Sequence, residues 1–408
     1  MKKSIIKKYA KTIVKIGANV QKGQDVVITC CVDQSIFAGY VVEECYKAGA
    51  RKVSVEWNTP ACVLIPTVKY ESIDTLSEIP NWQIEKRKYL VEKLPAHIHI
   101  VSEAPDEFLG LDTRKSSQAR MKKYPILKPY IDAMECKYQW TIAGVPSEKW
   151  AKKVFPNLSK NQAIEALWEA ILHTARITDD PIKSWNEHNE NLLNRCKYLN
   201  SFEFDYLEYH AENGTDFKVW MCPNCIWCGG GETTLGTNIY FNPNMPTEEC
   251  FTTPIKGKAE GKVVASKPLS YNGQLIENFW FEFKDGKVVN YDAEKGKDVL
   301  EEMLNMDEAA SYLGECALVP FESPINETGI LFYDTLYDEN AVCHLALGMG
   351  FQDVVKDHEK YTKEDFDKMG INDSMIHVDF MIGTRDMSIT GVTKDGKKVP
   401  IFVNGTWA

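Results

Sequence analysis

The sequence predicts an α/β protein with two domains: an N-terminal parallel α/β domain, residues 1–185, and a C-terminal, mostly antiparallel β (α+β) domain, residues 186–408. Three observations predict this division. A chain of 408 residues is too long for one ordinary hydrophobic core. Its first part alternates strand-like and helix-like segments, which is typical of a parallel sheet. Its second part has Asn-Gly and Asp-Gly dipeptides between β-rich runs, which favours antiparallel hairpins.

The first part contains four compact apolar runs, separated by charged, helix-compatible stretches. Strands that are buried on both faces read as nearly continuous apolar runs, so these segments predict a parallel sheet covered by helices. The predicted strands are Asp25–Cys31, Arg51–Trp57, His97–Ser102 and Trp140–Val145, and Ile36–Ala48 is a predicted helix closed by Gly49. No strand is followed by Gly-x-Gly-x-x-Gly or a phosphate-binding loop, so no motif supports a nucleotide site.

Two helices, Lys160–Ile177 and Ile182–Leu199, are predicted to lead out of the first domain, which places the boundary near residue 185. Beyond this boundary, three dipeptides are predicted to form hairpin turns: Asn272-Gly273, Asp285-Gly286 and Asp395-Gly396. Asparagine, aspartate and glycine tolerate the positive φ angles that such turns require. The second domain is therefore expected to consist mainly of hairpins.

Composition and charge describe a soluble globular chain with neither a nucleic-acid nor a membrane partner. Hydrophobic residues make up 44% and charged residues 26% of the sequence. The net charge of −11 argues against nucleic acid, because phosphate binding requires a basic surface. No apolar run reaches the length of about 18 residues that a membrane-spanning helix needs. The lysine-rich N-terminal residues predict an amphipathic surface helix and not a signal peptide.

The cysteines predict a cytoplasmic location. There are twelve of them in a chain without an export signal, which indicates reduced thiols. Cys222, Cys225 and Cys228 have a spacing that is superficially similar to those of iron–sulfur or zinc sites. A structural zinc site has four ligands, and no fourth ligand is evident nearby. We therefore expect loop cysteines without a metal.

The segment Met375–Gly383 alternates apolar and polar residues with the period of a β-strand. If its apolar residues face a core, His377 and Asp379 lie side by side on the opposite face. An imidazole and a carboxylate at this spacing are suitable ligands for a divalent metal ion. Taken alone, the pattern is also explained by a half-buried strand that binds no metal.

Further carboxylates and a histidine lie in apolar β or turn contexts of the second domain. Glu248 and Glu249 precede a β-like run, and Glu315 lies within an apolar strand. Glu339 and His344 would converge only if a helix began between them, because residues five apart lie about 140° apart on a helix. Each has a structural alternative, namely a solvated pair, a salt bridge to lysine, or a hydrogen-bonded core histidine. The whole set favours two metal ions that share a carboxylate, since it exceeds the needs of one tetrahedral zinc ion.

Four segments of the second domain carry these residues. They are Asn-Pro-Asn-Met-Pro-Thr-Glu-Glu-Cys-Phe-Thr-Thr-Pro, Gly-Glu-Cys-Ala-Leu-Val, Tyr-Asp-Glu-Asn-Ala-Val-Cys-His-Leu-Ala-Leu-Gly and Ile-His-Val-Asp-Phe-Met-Ile-Gly-Thr. These segments resemble the signature segments of the M29 metallo-aminopeptidases, the thermophilic aminopeptidase family. The resemblance covers essentially the whole chain and is most specific between residues 242 and 384. It implies a metal-dependent aminopeptidase that hydrolyses the N-terminal residue from peptides through a metal-activated water.

The resemblance also implies a ligand set, a cofactor and an assembly. The implied metal ligands are Glu249, Glu315, Glu339, His344, His377 and Asp379. In this set Glu315 is shared by two divalent metal ions, which are zinc, cobalt or manganese. Glu249 is assigned in preference to Glu248 from its Glu-x-Phe-Thr context alone. The implied partners are a peptide with a free N-terminus and a second copy of the chain in a homodimer.

The sequence departs from the family beside the implied site. The family usually has a tyrosine seven residues after the histidine that His344 matches, whereas this chain has Phe351. A phenyl ring cannot donate the hydrogen bond that would stabilise a developing oxyanion. Tyr361 or another group is a candidate substitute. The catalytic residues stay open, and Glu315 and Glu248 are the candidates for the general base.

Two other functions remain compatible with the sequence. A non-catalytic relative that binds metal or peptide would have kept the ligands and lost turnover when tyrosine became Phe351. A di-metal hydrolase of another amide, such as an N-acylated amino acid, would not depend on a free amine. Dependence on a free amine therefore separates an aminopeptidase from the second alternative.

Overall fold

The computed structural model describes residues 1–271 and 273–408, so Asn272 of the predicted turn lies outside the described residues. The helices are α1 Lys3–Thr12, α2 Ser35–Ala48, α3 Ala61–Tyr70, α4 Ile73–Ser77, α5 Asn81–Lys93, α6 Thr113–Met134, α7 Glu148–Val154, α8 Lys160–Thr174, α9 Pro181–Asn200, α10 Lys297–Leu304, α11 Pro324–Glu327, α12 Thr335–Glu339 and α13 Lys363–Met369. The strands are β1 Asp25–Cys30, β2 Lys52–Trp57, β3 Ala96–Val101, β4 Trp140–Gly144, β5 Phe204–His210, β6 Asp216–Met221, β7 Glu232–Thr233, β8 Tyr240–Phe241, β9 Asn244–Met245, β10 Cys250–Thr252, β11 Pro254–Val264, β12 Leu269–Tyr271, β13 Gln274–Lys284, β14 Lys287–Lys295, β15 Leu313–Leu318, β16 His344–Gly348, β17 His377–Met381, β18 Ser388–Thr393, β19 Lys398–Val403 and β20 Thr406–Trp407. Within the described ranges, no helix is both long and apolar enough to cross a membrane.

The chain divides into two compact units. The first unit contains residues 1–185 and 231–246, and the second contains residues 186–230 and 247–408. The chain thus leaves the first unit within α9 and later returns to it once, for a short segment that includes β7, β8 and β9.

The first unit is built on a parallel sheet of five strands in the order β2-β1-β3-β4-β9. The four predicted apolar runs form β1 to β4, and the returning segment adds the edge strand β9. Val26 and Ile28 of β1 and Ile98 of β3 are almost completely buried, as expected for a sheet with both faces covered. The prediction of a parallel α/β sheet is confirmed.

The second unit contains two antiparallel sheets. The larger has nine strands, with β12-β13-β11-β6-β5-β18-β19-β20 in order and β14 paired with β13, and the smaller has the order β10-β15-β16-β17. Asp285 and Gly286, with φ angles of 50° and 76°, connect β13 to β14. Gly396, with a φ of 82°, lies between β18 and β19. These residues adopt the positive φ angles that the predicted hairpin turns require.

The core of the second unit orients the smaller sheet. The ring of Phe380 in β17 lies 5.0 Å from that of Phe281 and 6.3 Å from that of Phe279, both in β13 of the larger sheet. Because successive side chains of a strand point to opposite faces, burying Phe380 in this core turns His377 and Asp379 to the other face. The apolar packing of β17 therefore decides where its polar residues point.

A cluster of one buried carboxylate and two lysines stabilises the larger sheet. Glu208 of β5 accepts hydrogen bonds from Lys398 at 2.8 Å and from Lys218 at 3.0 Å, and these lower the pKa of Glu208. We expect Glu208→Gln to lower the free energy of unfolding at neutral pH by about 1 kcal/mol, a modest value because both lysines are partly exposed. A lowered pKa stabilises the fold above the ordinary value of 4.5, and this contribution is lost as the pH falls through the folded-state pKa.

Chemical denaturation of the wild type and of Glu208→Gln across the acidic pH range measures this effect. The difference between the two should shrink with falling pH. Glu203→Gln, at an exposed position just before β5, is the control and should show no such trend. An equal difference at every pH would contradict the electrostatic explanation.

Candidate metal centre

One face of the four-stranded sheet carries most of the predicted metal ligands. The strand register places Glu315 of β15 opposite Ala346 of β16, and Ala346 opposite Asp379 of β17. Directly opposite side chains share a face of the sheet, so the two carboxylates lie on either side of a methyl group. Residues two apart on a strand also share a face, which adds His344 and His377.

Small residues keep the centre of this face open. Ala317 lies opposite His344, and Gly348 lies opposite His377. Ala346 lies between the carboxylates of Glu315 and Asp379. These positions carry no more than a methyl group, so the longer charged side chains around them can converge. A bulky residue at Ala346 would lie between the two carboxylates, and any side chain at Gly348, whose φ is 103°, would collide with the carbonyl group of Ile376.

Two groups of three candidate ligands lie within the described part of the chain. Glu249, Glu315 and His344 form the first group, and Glu315, His377 and Asp379 form the second. Within each group the ligand atoms lie within 4.8 Å of one another, and Glu315 belongs to both groups. Nε2 of His344 is 3.1 Å from Oε2 of Glu249, and Nε2 of His377 is 3.1 Å from Oε2 of Glu315.

Backbone carbonyls orient both imidazoles. Nδ1 of His377 lies 2.8 Å from the carbonyl oxygen of Met349, and Nδ1 of His344 lies 3.3 Å from that of Val342. A proton on Nδ1 can be donated to each carbonyl, and this fixes the tautomer in which Nε2 carries the lone pair. Both Nε2 atoms face the carboxylates, where a metal ion would be bound.

Negative charge dominates the electrostatics of this face. Burial, with the nearby carboxylates of Asp379 and Glu249, raises the pKa of Glu315 to about 7. Burial opposes a charged His344, yet the hydrogen bond to Glu249 raises the pKa of His344 to about 9. Burial likewise opposes ionisation of Asp379, but the charge of His377 lowers its pKa. Protonated imidazoles thus compensate part of the buried charge, and a divalent cation would compensate it by displacing those protons.

The donor atoms of the two groups suit a divalent metal ion. They are carboxylate oxygens and imidazole nitrogens, which zinc, cobalt and manganese accept, and neither group includes a thiol. Buried carboxylates are costly unless a cation meets them. The residues present therefore fit the metal that the sequence predicts.

Glu339 lies beside the second group of candidate ligands from the end of a helix, a position that the sequence did not predict. No helix begins between Glu339 and His344, since α12 ends at Glu339 and β16 begins at His344. The carboxyl group of Glu339 forms a hydrogen bond with Asp379, and burial together with the neighbouring carboxylates raises its pKa well above the usual range. Nδ2 of Asn340 donates to Oε1 of Glu339 at 3.2 Å. Glu339 is therefore adjacent to the two groups of three without belonging to either.

Glu248 has surroundings different from those of its neighbour Glu249. Its amide donates to Oδ1 of Asn340 at 2.8 Å, and its Oε2 lies 3.8 Å from Nε2 of His188 in α9. The same Nε2 lies 2.8 Å from the carbonyl oxygen of Thr247. Sequence reasoning missed His188, since a single histidine on a polar helix gives no signal of a partner far along the chain.

Phe351 lies beside one of the candidate ligands, His377. The ring of Phe351 is 4.8 Å from that of His377 and 5.4 Å from that of Phe251. The candidate substitute Tyr361 packs instead against Phe366, with ring centroids 6.0 Å apart. The structure thus places a phenyl ring beside a candidate ligand and places the tyrosine in a separate apolar contact.

Comparison with known proteins relates the chain to a family over almost its full length. The sequence model of the family described as Thermophilic metalloprotease (M29) matches residues 2–407. Aminopeptidase AmpS of Bacillus subtilis (strain 168) is 40% identical over 404 residues, covering 98% of this chain and 97% of that protein. Aminopeptidase 2 of Geobacillus stearothermophilus is 40% identical over 403 residues, with coverage of 98% and 97%. The structure of wild-type AmpT from Thermus thermophilus matches with a TM-score of 0.90 and 34% identity, covering 100% of this chain and 99% of that chain.

These matches confirm the predicted family and the predicted α/β fold class, and the relatives carry the name of the predicted enzyme class, aminopeptidase. The family is one of metalloproteases, and the buried ligand groups of this chain fit a divalent metal. The chain is therefore an enzyme, and it belongs to the M29 family of thermophilic metalloproteases.

Proposed function

We propose that this metallopeptidase is an aminopeptidase that uses two metal ions to hydrolyse the first peptide bond of a substrate with a free N-terminus. The observation that carries the proposal is the position of Glu315, whose carboxylate belongs to both buried ligand groups. Two cations that share one carboxylate form the kind of centre that clamps a substrate and an attacking water together. The aminopeptidase names of the relatives support the same reaction.

The proposed ligands follow the two groups. Glu249, Glu315 and His344 hold one ion, Glu315, His377 and Asp379 hold the other, and Glu339 completes the set beside Asp379. The ions are zinc, cobalt or manganese, which accept this mixture of oxygen and nitrogen donors. When bound, they supply Lewis acidity that lowers the pKa of a water and polarises the scissile carbonyl.

The side chains themselves orient the substrate and move the proton. The buried carboxylates attract the α-ammonium group of the peptide, and this fixes cleavage after the first residue. A carboxylate must then carry a proton from the attacking water to the leaving amine. Glu315 and Glu248 are the candidates for this general base.

We also propose that the enzyme is a cytoplasmic homodimer. None of the twelve cysteines forms a disulfide, which suits a reducing compartment. The dimer follows from the family resemblance, and analytical ultracentrifugation of the metal-loaded protein measures it. A mass equal to that of one chain would contradict it.

Metal-depleted protein is expected to regain cleavage of free dipeptides when zinc or cobalt is added, and to leave the N-acetylated counterparts intact. Acetylation removes the positive charge that the buried carboxylates recognise. Chromatographic measurement of released amino acids, with matched peptide pairs, provides the test. Cleavage of the acetylated peptides would indicate a hydrolase of another amide. Metal-loaded protein that cleaves neither set would favour the non-catalytic relative.

Glu315→Gln is expected to lose bound metal and to lower kcat/KM by at least about a hundredfold. A neutral amide binds a cation weakly and cannot serve two ions as a shared carboxylate does. Metal content by mass spectrometry and steady-state kinetics are measured on the same preparation. Glu282→Gln, on the exposed face of β13, is the control. A Glu315→Gln protein with unchanged metal content and turnover would remove Glu315 from the proposed centre.

Phe351→Tyr is expected to raise kcat by about tenfold to a hundredfold with little change in KM. The added hydroxyl can donate a hydrogen bond to the developing oxyanion, which the phenyl ring beside His377 cannot. Steady-state kinetics at saturating metal measure the change, and Phe202→Tyr, at a partly buried position away from the ligand groups, controls for the added hydroxyl. No gain in kcat would show that this position supplies no missing donor.

A further inference from the structure

Two cysteines occupy the ends of a tight turn in the second unit. The amide of Cys225 donates to the carbonyl of Cys222 at 3.2 Å, which closes a four-residue β-turn. Pro223 is the second residue of this turn, and Asn224, with a φ of 67°, is the third. This is the residue pattern of a type II turn, whose end Cα atoms lie less than about 7 Å apart. Disulfides span about 4.4–6.8 Å between Cα atoms, so the backbone already allows one here.

The two thiols also interact with each other. Interaction with the Cys225 thiol lowers the pKa of Cys222 despite its burial. The same interaction raises the pKa of Cys225. The thiolate is the reactive form of cysteine, which makes Cys222 the attacking group. Cys222 is 4% exposed, whereas Cys225 is half-buried and is the more accessible of the two.

A second pair of cysteines provides a contrast within the same unit. Cys196 and Cys250 also interact, and this interaction together with burial raises the pKa of Cys250 well above its usual range. They are 3% and 0% exposed. A thiol that is both protonated and enclosed reacts slowly with oxidants. Interaction between the thiols is therefore shared by both pairs, whereas the lowered pKa of Cys222 and the half-buried position of Cys225 distinguish the first pair.

The turn is attached to the segment that begins with Phe351. The amide of Ile226 donates to the carbonyl of Val354 at 2.8 Å, and the amide of Lys356 donates to the carbonyl of Asn224 at 3.0 Å. These two backbone hydrogen bonds flank the turn residue Cys225. A change in the turn therefore acts directly on residues 354–356, which follow Phe351 in the same segment.

Side-chain packing makes the same connection. Cys222 lies in an apolar cluster with Val355 and Phe366, and its thiol is 3.5 Å from the carbonyl oxygen of Met369. Closing a disulfide brings the sulfurs to about 2.05 Å, so the Cys222 side chain must leave part of these contacts. This cluster includes Val355, four residues after Phe351, and the ring of Phe351 lies against that of His377.

We propose that Cys222 and Cys225 form a redox-active dithiol, which a hydroperoxide oxidises to an intramolecular disulfide that restrains the segment carrying Phe351. The Cys222 thiolate attacks one peroxide oxygen, the O–O bond breaks, and a sulfenic acid forms as hydroxide leaves and is protonated to water. The sulfur of Cys225 then attacks the Cys222 sulfur, the S–O bond breaks, and a second water leaves. Two thiols are oxidised by two electrons in total, and one hydrogen peroxide is reduced to two waters.

Differential alkylation of the metal-loaded, full-length protein tests the covalent step. One equivalent of hydrogen peroxide should remove Cys222 and Cys225 from the thiols that react with N-ethylmaleimide after denaturation, and the chain should lose the mass of two hydrogens. Cys196 and Cys250 should remain reactive. Treatment with tris(2-carboxyethyl)phosphine should restore the first pair. Continued alkylation of Cys222 and Cys225 after peroxide would overturn the proposal.

Single substitutions in the same loop test whether the disulfide joins Cys222 and Cys225. Cys225→Ser should abolish the two-hydrogen mass loss, whereas Cys228→Ser, three residues further along, should retain it. An identical mass loss in Cys225→Ser and in the wild type would place the disulfide elsewhere and overturn the proposal. Both variants are compared by circular dichroism, so a misfolded protein is recognised before its thiols are counted.

The effect on turnover rests on the proposed function, whereas the disulfide does not, so the two can fail separately. Oxidised protein with unchanged metal content should show kcat/KM at least about twofold lower than reduced protein, with recovery on reduction, because Phe351 is displaced from His377. Cys225→Ser should keep its kcat/KM after peroxide. Equal kcat/KM of the oxidised and reduced forms would overturn the link to the active site. A protein inactive in both forms would count against the proposed function, and the alkylation result would still decide whether the dithiol exists.

Discussion

The organisation of the second unit depends on the burial of several carboxylates on one face of a small sheet. Removing a carboxylate from water is costly unless a positive charge lies nearby. Glu315 and Asp379 lie against His377, and Glu249 lies against His344, so two imidazoles supply part of that charge. Metal ions shared between the two groups would supply the rest. The cost of burial is thus the physical reason for treating this face as a metal centre.

The two faces of the smaller sheet have different roles, and the alternation of apolar and polar residues along β17 provides both. Phe380 and its apolar neighbours attach β17 to the larger sheet, and the intervening positions present His377 and Asp379 to the other face. Alanine and glycine between the ligands keep that face open. Strands that are fixed by a hydrogen-bond ladder and by core packing hold ligand atoms more precisely than loops do. The ligands from β15, β16 and β17 are therefore positioned by the core itself.

The unusual features of this chain lie in the segments around that rigid face. Phe351 follows β16 and contacts His377, and the turn that contains Cys222 and Cys225 pairs with the residues after Phe351. Connecting segments tolerate change because few ladder contacts depend on them. A loop residue can therefore alter the chemistry beside the ligands, by removing a donor or by adding a reactive thiol, without disturbing the strands that hold them.

The sequence by itself determined the types of structure and the chemical nature of the site. Periodicity distinguished the parallel first sheet from the antiparallel second part, and the alternation along β17 placed His377 and Asp379 on one polar face, because both signals are local. Family motifs supplied the remaining candidate ligands. The resemblance also implied that Glu315 is shared, and the tertiary structure supplied the geometry in which Glu315 belongs to both groups. Only the tertiary structure decided that Glu339 approaches Asp379 from the end of a helix and that Glu248 lies near a histidine of α9. Those relations depend on strand register and on packing between distant segments, and no local pattern in the sequence encodes either.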